Sequence, residues 1–403
     1  MRVMNLRACE RVRCYNFLML YLDYNATTPV APQVAQAVAR GLGELWGNPS
    51  SAHLLGARAK LALEEARAQV AALLGASPEE IVFTSGGTEA NNMAILGLAA
   101  LRRTGHIISS QIEHPSVLRP LQLLQGQGFQ ITLLPPNSRG VVEPEAVRRA
   151  LRPQTFLITI MHANNETGML QPIQEIATLA REAGVLLHTD CAQSVGKHPV
   201  DVQALGADML TVAGHKLYGP KGIGALYVRQ GVELRPVLFG ASQERGLRPG
   251  TENLPGALGL AAAARLAVQE LPSERQRLGE LSELLWRELK ERLPQARLNA
   301  WGSAEEKLPN TLNVCIPGVD ATELVEALAR RVAISAGAAC HAGRKSPSHV
   351  LTAMGISPQD ALCSVRLSLG RHTRAEELKE AAAALAAAAR QLAQAPPGRG
   401  GAP

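Results

Sequence analysis

Lys216 stands in the run Gly214-His215-Lys216, directly after Met209–Ala213, five residues that read as a buried strand. A lysine amine withdrawn from water has a depressed pKa and forms Schiff bases with carbonyl groups, whereas in a solvated loop it is an ordinary cation. Asp190 gives Lys216 company, because it closes the strand-like run Val185–Thr189. A carboxylate at a strand end can hold the nitrogen of a pyridine ring protonated and so make that ring an electron sink. Gln193, three residues on in a helical turn, is placed to hydrogen-bond a phenolic oxygen on the same ring.

Three further positions bear on this chemistry. Ser85-Gly86-Gly87-Thr88 joins a strand to a helix, where glycines admit a phosphate close to the backbone and the helix start favours an anion. Alone it reads as a tight turn with Thr88 as N-cap. His114 reads equally as a core or capping histidine, or as a ring stacked on an aromatic cofactor that shuttles protons near neutral pH. Cys340 sits in the Gly- and Ala-rich segment SAGAACHAGRKSPS, whose small residues leave a thiol accessible and free to travel. On the residues alone it reads equally as an inert loop position. Cys315 and Cys363 read as buried structural thiols.

The elements that must position these residues are legible as periodic runs. Strands are expected at Ile81–Thr84, His106–Ser110, Ile131–Leu134, Phe156–Met161, Val185–Thr189, Met209–Ala213 and Ala225–Val228. Helices are expected between them, including 61–74 stopped by Gly75, Glu143–Leu151 and Ile173–Ala183. Such short apolar runs predict a mainly parallel sheet covered by helices. In such sheets ligands bind beyond the carboxyl ends of the strands, and five of these ends run into SGGTEANN, QIEHPS, HANNETG, DCAQS and GHKLYGPKG. Past Asn253 a helix over Gly256–Leu293, broken near Pro272, leads to strands at Thr311–Ile316, Val332–Ser335 and Val365–Ser368 and an Ala-rich helix over 375–393. The expectation is a large domain over 19–255 and a smaller α+β domain over 256–395.

Composition narrows the class. Aromatics make up 3% of 403 residues, so Leu, Val, Ile and Ala must fill the core, and no apolar run reaches the roughly 20 residues of a bilayer span. The net charge of +6 does not mark a nucleic-acid binder. Half of it comes from residues 1–18, where Arg2, Arg7, Arg11 and Arg13 face only Glu10, and no basic stripe follows. Those 18 residues are expected to be a disordered extension or an upstream start before Met19, and the Pro/Gly-rich 396–403 a disordered tail. The six cysteines show no metal-ligand spacing and suit reduced thiols of a cytoplasmic protein.

With these motifs in hand, the chain resembles the class V aminotransferase family of pyridoxal phosphate (PLP) enzymes, in particular its cysteine desulfurase and selenocysteine lyase group. The resemblance runs from Tyr21 to Thr373. It is carried in order by DYNATTP, GNPSS, FTSGGTEANN, EHPS, NNETG, HTDCAQSVGK, GHKLYGPKGIGALY, RPGTEN, LPNTLN and GAACHAG. It implies the fold-type I PLP architecture, a seven-stranded sheet plus a small α+β domain. It makes Lys216 the Schiff-base lysine, Asp190 the pyridinium partner, His114 the stacking ring, and Asn165 and Gln193 the phenolate contacts. Gly87, Thr88 and His215 fall in the phosphate cup, Thr251 reaches the phosphate of a neighbouring subunit in a homodimer, and Arg366 with Asn25 takes the substrate carboxylate.

The activity implied is conversion of L-cysteine to L-alanine, with sulfur passed to a Cys340 persulfide and on to a sulfur acceptor or iron–sulfur scaffold. A selenocysteine lyase and an aminotransferase of the same family are the alternatives. Three positions depart from the pattern: Ala213 stands where a phosphate-binding hydroxyl is usual, Cys191 replaces an alanine beside Asp190, and Pro115 follows His114 where animal selenocysteine lyases carry an acid. GAACH itself is nearer to selenocysteine lyases than to many cysteine desulfurases.

Overall fold

The structure, a computed structural model, describes residues 19–394, apart from Ala338, Ala342, Gly343 and the side chains of 339–341, 344 and 345. The expectations for residues 1–18 and 396–403 lie outside the described residues. β1 (Leu20–Tyr21) pairs in parallel with a strand more than 300 residues further on, so the start of the described chain is bound to its last third.

The central sheet is made of β2 (Ile81–Thr84), β3 (His106–Ser110), β4 (Gln130–Leu134), β5 (Thr155–Thr159), β6 (Leu186–Asp190), β7 (Met209–Ala213) and β8 (Gly224–Val228). Its order is β2-β8-β7-β6-β5-β3-β4, and only β8 runs against its neighbours. All seven expected strands are present. Alternation along them explains why their central residues are largely apolar: Ile108, Ile158, Leu210 and Tyr227 enter the core on one face. Their neighbours Ile107, Leu157, Met209 and Leu226 enter the core on the other. A strand buried on both faces has no polar side to show. Because the other six strands are parallel, their carboxyl ends share one edge of the sheet.

Helices cover both faces. Leu54–Leu74 ends at Gly75 in the left-handed conformation (φ 66°), as expected, but starts seven residues before the expected 61. The His53 side chain accepts from Gly56 N–H there, a cap that the exposed Leu54 and Leu55 hide from a periodicity reading.

The expected break at Pro272 does not occur, because Leu254–Arg292 is one continuous helix. Proline removes the bond to the carbonyl four residues earlier, here Val268, which is 55% exposed, so water can take that carbonyl. The first half of this helix buries Leu260 and Ala264 in the core under the main sheet. The second buries Leu278, Leu285 and Leu289 in a separate core.

That second core lies against a four-stranded sheet, order β12-β15-β10-β9, made of β9 (Arg297–Leu298), β10 (Thr311–Cys315), β12 (Ser335–Ala336) and β15 (Ser364–Ser368). The single strand expected at Val332–Ser335 is divided. Val332 in β11 (Val332–Ala333) pairs with Leu20, whereas Ser335 pairs with Arg366. Two different partners require a change of direction at Ile334. β13 (Ala339–His341) and β14 (Arg344–Ser346) form a hairpin in which Cys340 pairs with Lys345. Among the described residues no helix is long and apolar enough to cross a membrane.

Candidate active site

The segments that follow β2, β3, β5, β6 and β7 enclose a cavity of about 340 Å³ lined by Asn25, Gly87, Thr88, His114, Asn165, Asp190, Gln193, His215, Lys216 and Arg366. Ten of the twelve residues singled out from the sequence therefore meet at one place. Thr251 does not; it is exposed and outside the cavity. The side chain of Cys340 lies outside the described residues.

Asn25 is the junction of the site. Its carbonyl oxygen accepts from Lys216 Nζ at 2.5 Å and from Gln193 Nε2 at 3.0 Å. Its side chain donates to Thr311 Oγ1 and to the Asn165 carbonyl. Burial, reinforced by the Arg366 cation, lowers the Lys216 amine to about 8. A fraction of it is therefore free base near neutral pH, as covalent chemistry with a carbonyl requires.

Asp190, at the end of β6, accepts from Asn91 Nδ2 at 2.7 Å and from Ala192 N–H at 2.9 Å. Asn91 was not foreseen, although its signal was present. It lies four residues after Gly87 in the helix Gly87–Ala99 and so shares a face with the glycine turn.

The glycine turn resolves differently from a Thr88 cap. Gly86 (φ 150°) is the N-cap, with no side-chain bond, and Thr88 is already inside the helix. The first backbone N–H groups of a helix have no partner within it, so those of Gly87 and Thr88 open at the cavity. His215 lines the same part, its Nδ1 3.1 Å from Thr27 Oγ1. Burial and the neighbouring Lys216 lower its pKa to about 4, so it is neutral and can donate or accept.

His114 turns out to be both a cap and a cavity residue. Its Nδ1 accepts from Ser116 N–H at 3.1 Å, which leaves the proton of the neutral ring on Nε2. Burial, opposed in part by Asp190, lowers its pKa.

Arg366 on β15 donates to Asp23 Oδ1 at 2.8 Å and to the Asn165 carbonyl at 3.1 Å, while its Nε is buried without a partner among the described residues. The α+β part thus sends an arginine into a cavity that the main sheet builds. The groups present suit PLP: free helix N–H groups for a phosphate, a carboxylate for a ring nitrogen, amides for a phenolic oxygen, and a depressed lysine for an aldehyde. Asn91, which also lines the cavity, has a buried Oδ1 without a partner among the described residues.

Glu113, beside His114, was also missed. It is wholly buried, its Oε1 accepting from Ser110 Oγ and Met161 N–H while Oε2 has no partner among the described residues. Burial pushes its pKa up to about 8 from 4.5. A carboxyl whose folded pKa is raised lends stability that is complete below the unfolded pKa and is lost as pH rises through the folded one. Glu113→Gln, which keeps the acceptor, is therefore expected to flatten the stability profile between pH 4.5 and 8. Urea unfolding at several pH values reads this, and an unchanged slope would refute a protonated Glu113.

Fold and cavity together are those of a fold-type I PLP-dependent transferase. Comparison with known proteins gives the narrower identity: the chain belongs to the class-V aminotransferase family, whose profile matches residues 20–380. It is 45% identical over 362 residues to the cysteine desulfurase IscS of Dictyoglomus turgidum, spanning 89% of this chain and 91% of that one. With a cysteine desulfurase of Nostoc sp. it shares 44% over 357 residues, 88% of this chain and 89% of the relative.

Among solved structures, a NifS-like protein superposes with a TM-score of 0.86 at 36% identity, over 92% of this chain and 99% of its own. SspA in complex with cysteine superposes with a TM-score of 0.75 at 41% identity, over 87% and 99%. PLP is the cofactor of this family.

Proposed function

We propose that the protein is a PLP-dependent cysteine desulfurase that converts L-cysteine to L-alanine and takes the sulfur onto Cys340 as a persulfide. The observation that carries this reading is the half-buried Lys216 amine, lowered to about 8, sharing one cavity with Asp190 and Arg366. PLP, when bound, supplies an electron sink that weakens the bonds around the substrate's α carbon.

The chain's own residues supply the rest. Lys216 holds the cofactor and, once released, moves the proton at the α carbon together with His114. Asp190, kept in place by Asn91, holds the ring-nitrogen proton. Gly87, Thr88 and His215 receive the phosphate, and Asn165 and Gln193 the phenolic oxygen. Arg366, with Asn25, takes the substrate carboxylate. The Cys340 thiolate attacks the substrate sulfur: an S–S bond forms, the C–S bond breaks, and carbon keeps the electron pair until a proton makes alanine.

The reading extends to a cytoplasmic homodimer in which Thr251 serves the partner's phosphate site; its exposure outside its own cavity supports this, and sedimentation reads the dimer. It also extends to a large domain over 19–255 and a small one over 256–395. Two separate cores support two domains, although the helix start at Leu260 and Ala264 packs in the first core and Leu22 in the second, so the packing does not divide at residue 255. The persulfide is handed to a sulfur acceptor such as an iron–sulfur scaffold.

The test measures alanine from L-cysteine and L-selenocysteine side by side, after borohydride reduction has located the cofactor. We expect label on Lys216 and turnover of L-cysteine. Label on Lys221, or turnover of L-selenocysteine alone, would overturn the reading.

A further inference from the structure

Lys197 is a buried lysine that the reaction as described leaves unused. The turn after β6 carries it inward through Gly196 (φ 78°), where a Cβ would stand 3.1 Å from Leu217 Cβ. The residue is 7% exposed. Its Nζ donates to two neutral oxygens, Gln193 Oε1 at 2.8 Å and Asn25 Oδ1 at 3.1 Å. Among the described residues no carboxylate pairs with it.

The groups around it come from every neighbouring element. Burial, reinforced by the positive charges of Lys216 after β7 and Arg366 on β15, holds the Lys197 amine well below its ordinary value. Asn310, before β10, also donates to Asn25 Oδ1, at 3.1 Å. From the long helix, Glu270 and Glu274 share a small cavity with Lys197 but are engaged by Arg371 and Arg277.

A primary amide can face either way, and its neighbours decide which. Gln193 has a donor, Lys197, on one side and an acceptor, the Asn25 carbonyl, on the other. Turned over, its N–H edge would meet the lysine and its oxygen would meet a carbonyl. We propose that Lys197 is a positioning residue of this site, locking the Gln193 amide with its N–H edge toward the cavity so that the cofactor's phenolic oxygen meets a donor. The same contact fixes Asn25 Oδ1, leaving Asn25 Nδ2 for Thr311 and Asn165. This inference rests on the functional reading above.

A donor at the phenolic oxygen stabilises its anion, so losing the donor raises the pH at which the bound cofactor loses its proton. The measurement is the pH midpoint of the bound PLP visible band, beside the thermal unfolding midpoint and PLP stoichiometry of each variant. We expect Lys197→Met to bind PLP stoichiometrically and to move the midpoint up by about one unit, the scale of one hydrogen bond to a charged group. Lys197→Gln, which keeps an amide donor, should return most of the shift.

Gln193→Met should reproduce the shift, and adding Lys197→Met to it should give no more. An unmoved midpoint in Lys197→Met, equal shifts in the Met and Gln variants, or additive shifts in the double variant would each overturn the proposal. Should Lys197→Met fail to fold, the midpoints of Lys197→Ala and of its combination with Gln193→Met decide by the same rules. Absence of any PLP band in the unaltered protein would instead fell the functional reading, and this inference with it.

Discussion

Cys340→Ala is expected to abolish alanine formation from L-cysteine, by roughly 10³-fold or more on the scale of other nucleophile deletions. PLP binding and its visible absorption should stay intact. Expelling bare sulfur from carbon is unfavourable, so a thiolate must take it, and a thiolate is available only where the protein does not suppress it. Cys191, Cys315 and Cys363 are all buried. Burial pushes the Cys191 and Cys315 thiols up, and Asp190 adds to the effect at Cys191. They are poor nucleophiles however near the cavity they lie.

Cys340 lies in a short hairpin, within a stretch of sequence rich in glycine and alanine. It should also be the fastest of these four thiols to react with iodoacetamide. Native rates in Cys340→Ala, or a persulfide trapped on Cys191, would remove Cys340 from the reaction.

Asp190→Asn is expected to leave PLP bound and to lower turnover by roughly 10²–10³-fold, the usual effect of deleting one preorganised partner of developing charge. Both carboxylate oxygens of Asp190 accept hydrogen bonds, from Asn91 Nδ2 and from Ala192 N–H. An asparagine keeps one acceptor and turns an N–H edge toward a donor, so it can neither satisfy both neighbours nor hold a ring-nitrogen proton. Steady-state alanine formation beside PLP absorbance separates this from loss of cofactor. Near-native turnover would show that the ring nitrogen does not depend on Asp190.

The Asp190 prediction was reachable from residue types and spacing, the Cys340 prediction only through the family resemblance, and much of the fold was legible in the sequence too. The strands of the main sheet were legible because strands buried on both faces, as all but the edge strand β4 are, are largely apolar, and glycine and proline punctuation marks their ends. Gly75 was legible as a helix stop because the left-handed conformation there favours a residue without a side chain. The same reasoning failed at Pro272, where the carbonyl that the proline orphans belongs to exposed Val268 and is open to water, and exposure is a tertiary property. It failed at Val332–Ser335 because a run that pairs with two partners looks like one strand until both partners are in place.

The site divides along the same line. Sequence alone determined that the candidate residues would meet, because Lys216, Asp190, His114 and the glycine turn each stand at or just after the end of a strand, and parallel strands bring such ends to one edge. Only the tertiary structure decided how those groups are tuned. The depressed Lys216 amine needs burial and Arg366, which arrives from β15, 150 residues away in the chain. Asp190 needs Asn91 from another helix, and Gln193 needs Lys197 and Asn25 to fix which way its amide faces. Residue identity supplies a functional group, but its charge state and orientation follow from desolvation and from partners distant in sequence, which exist only once the chain has packed.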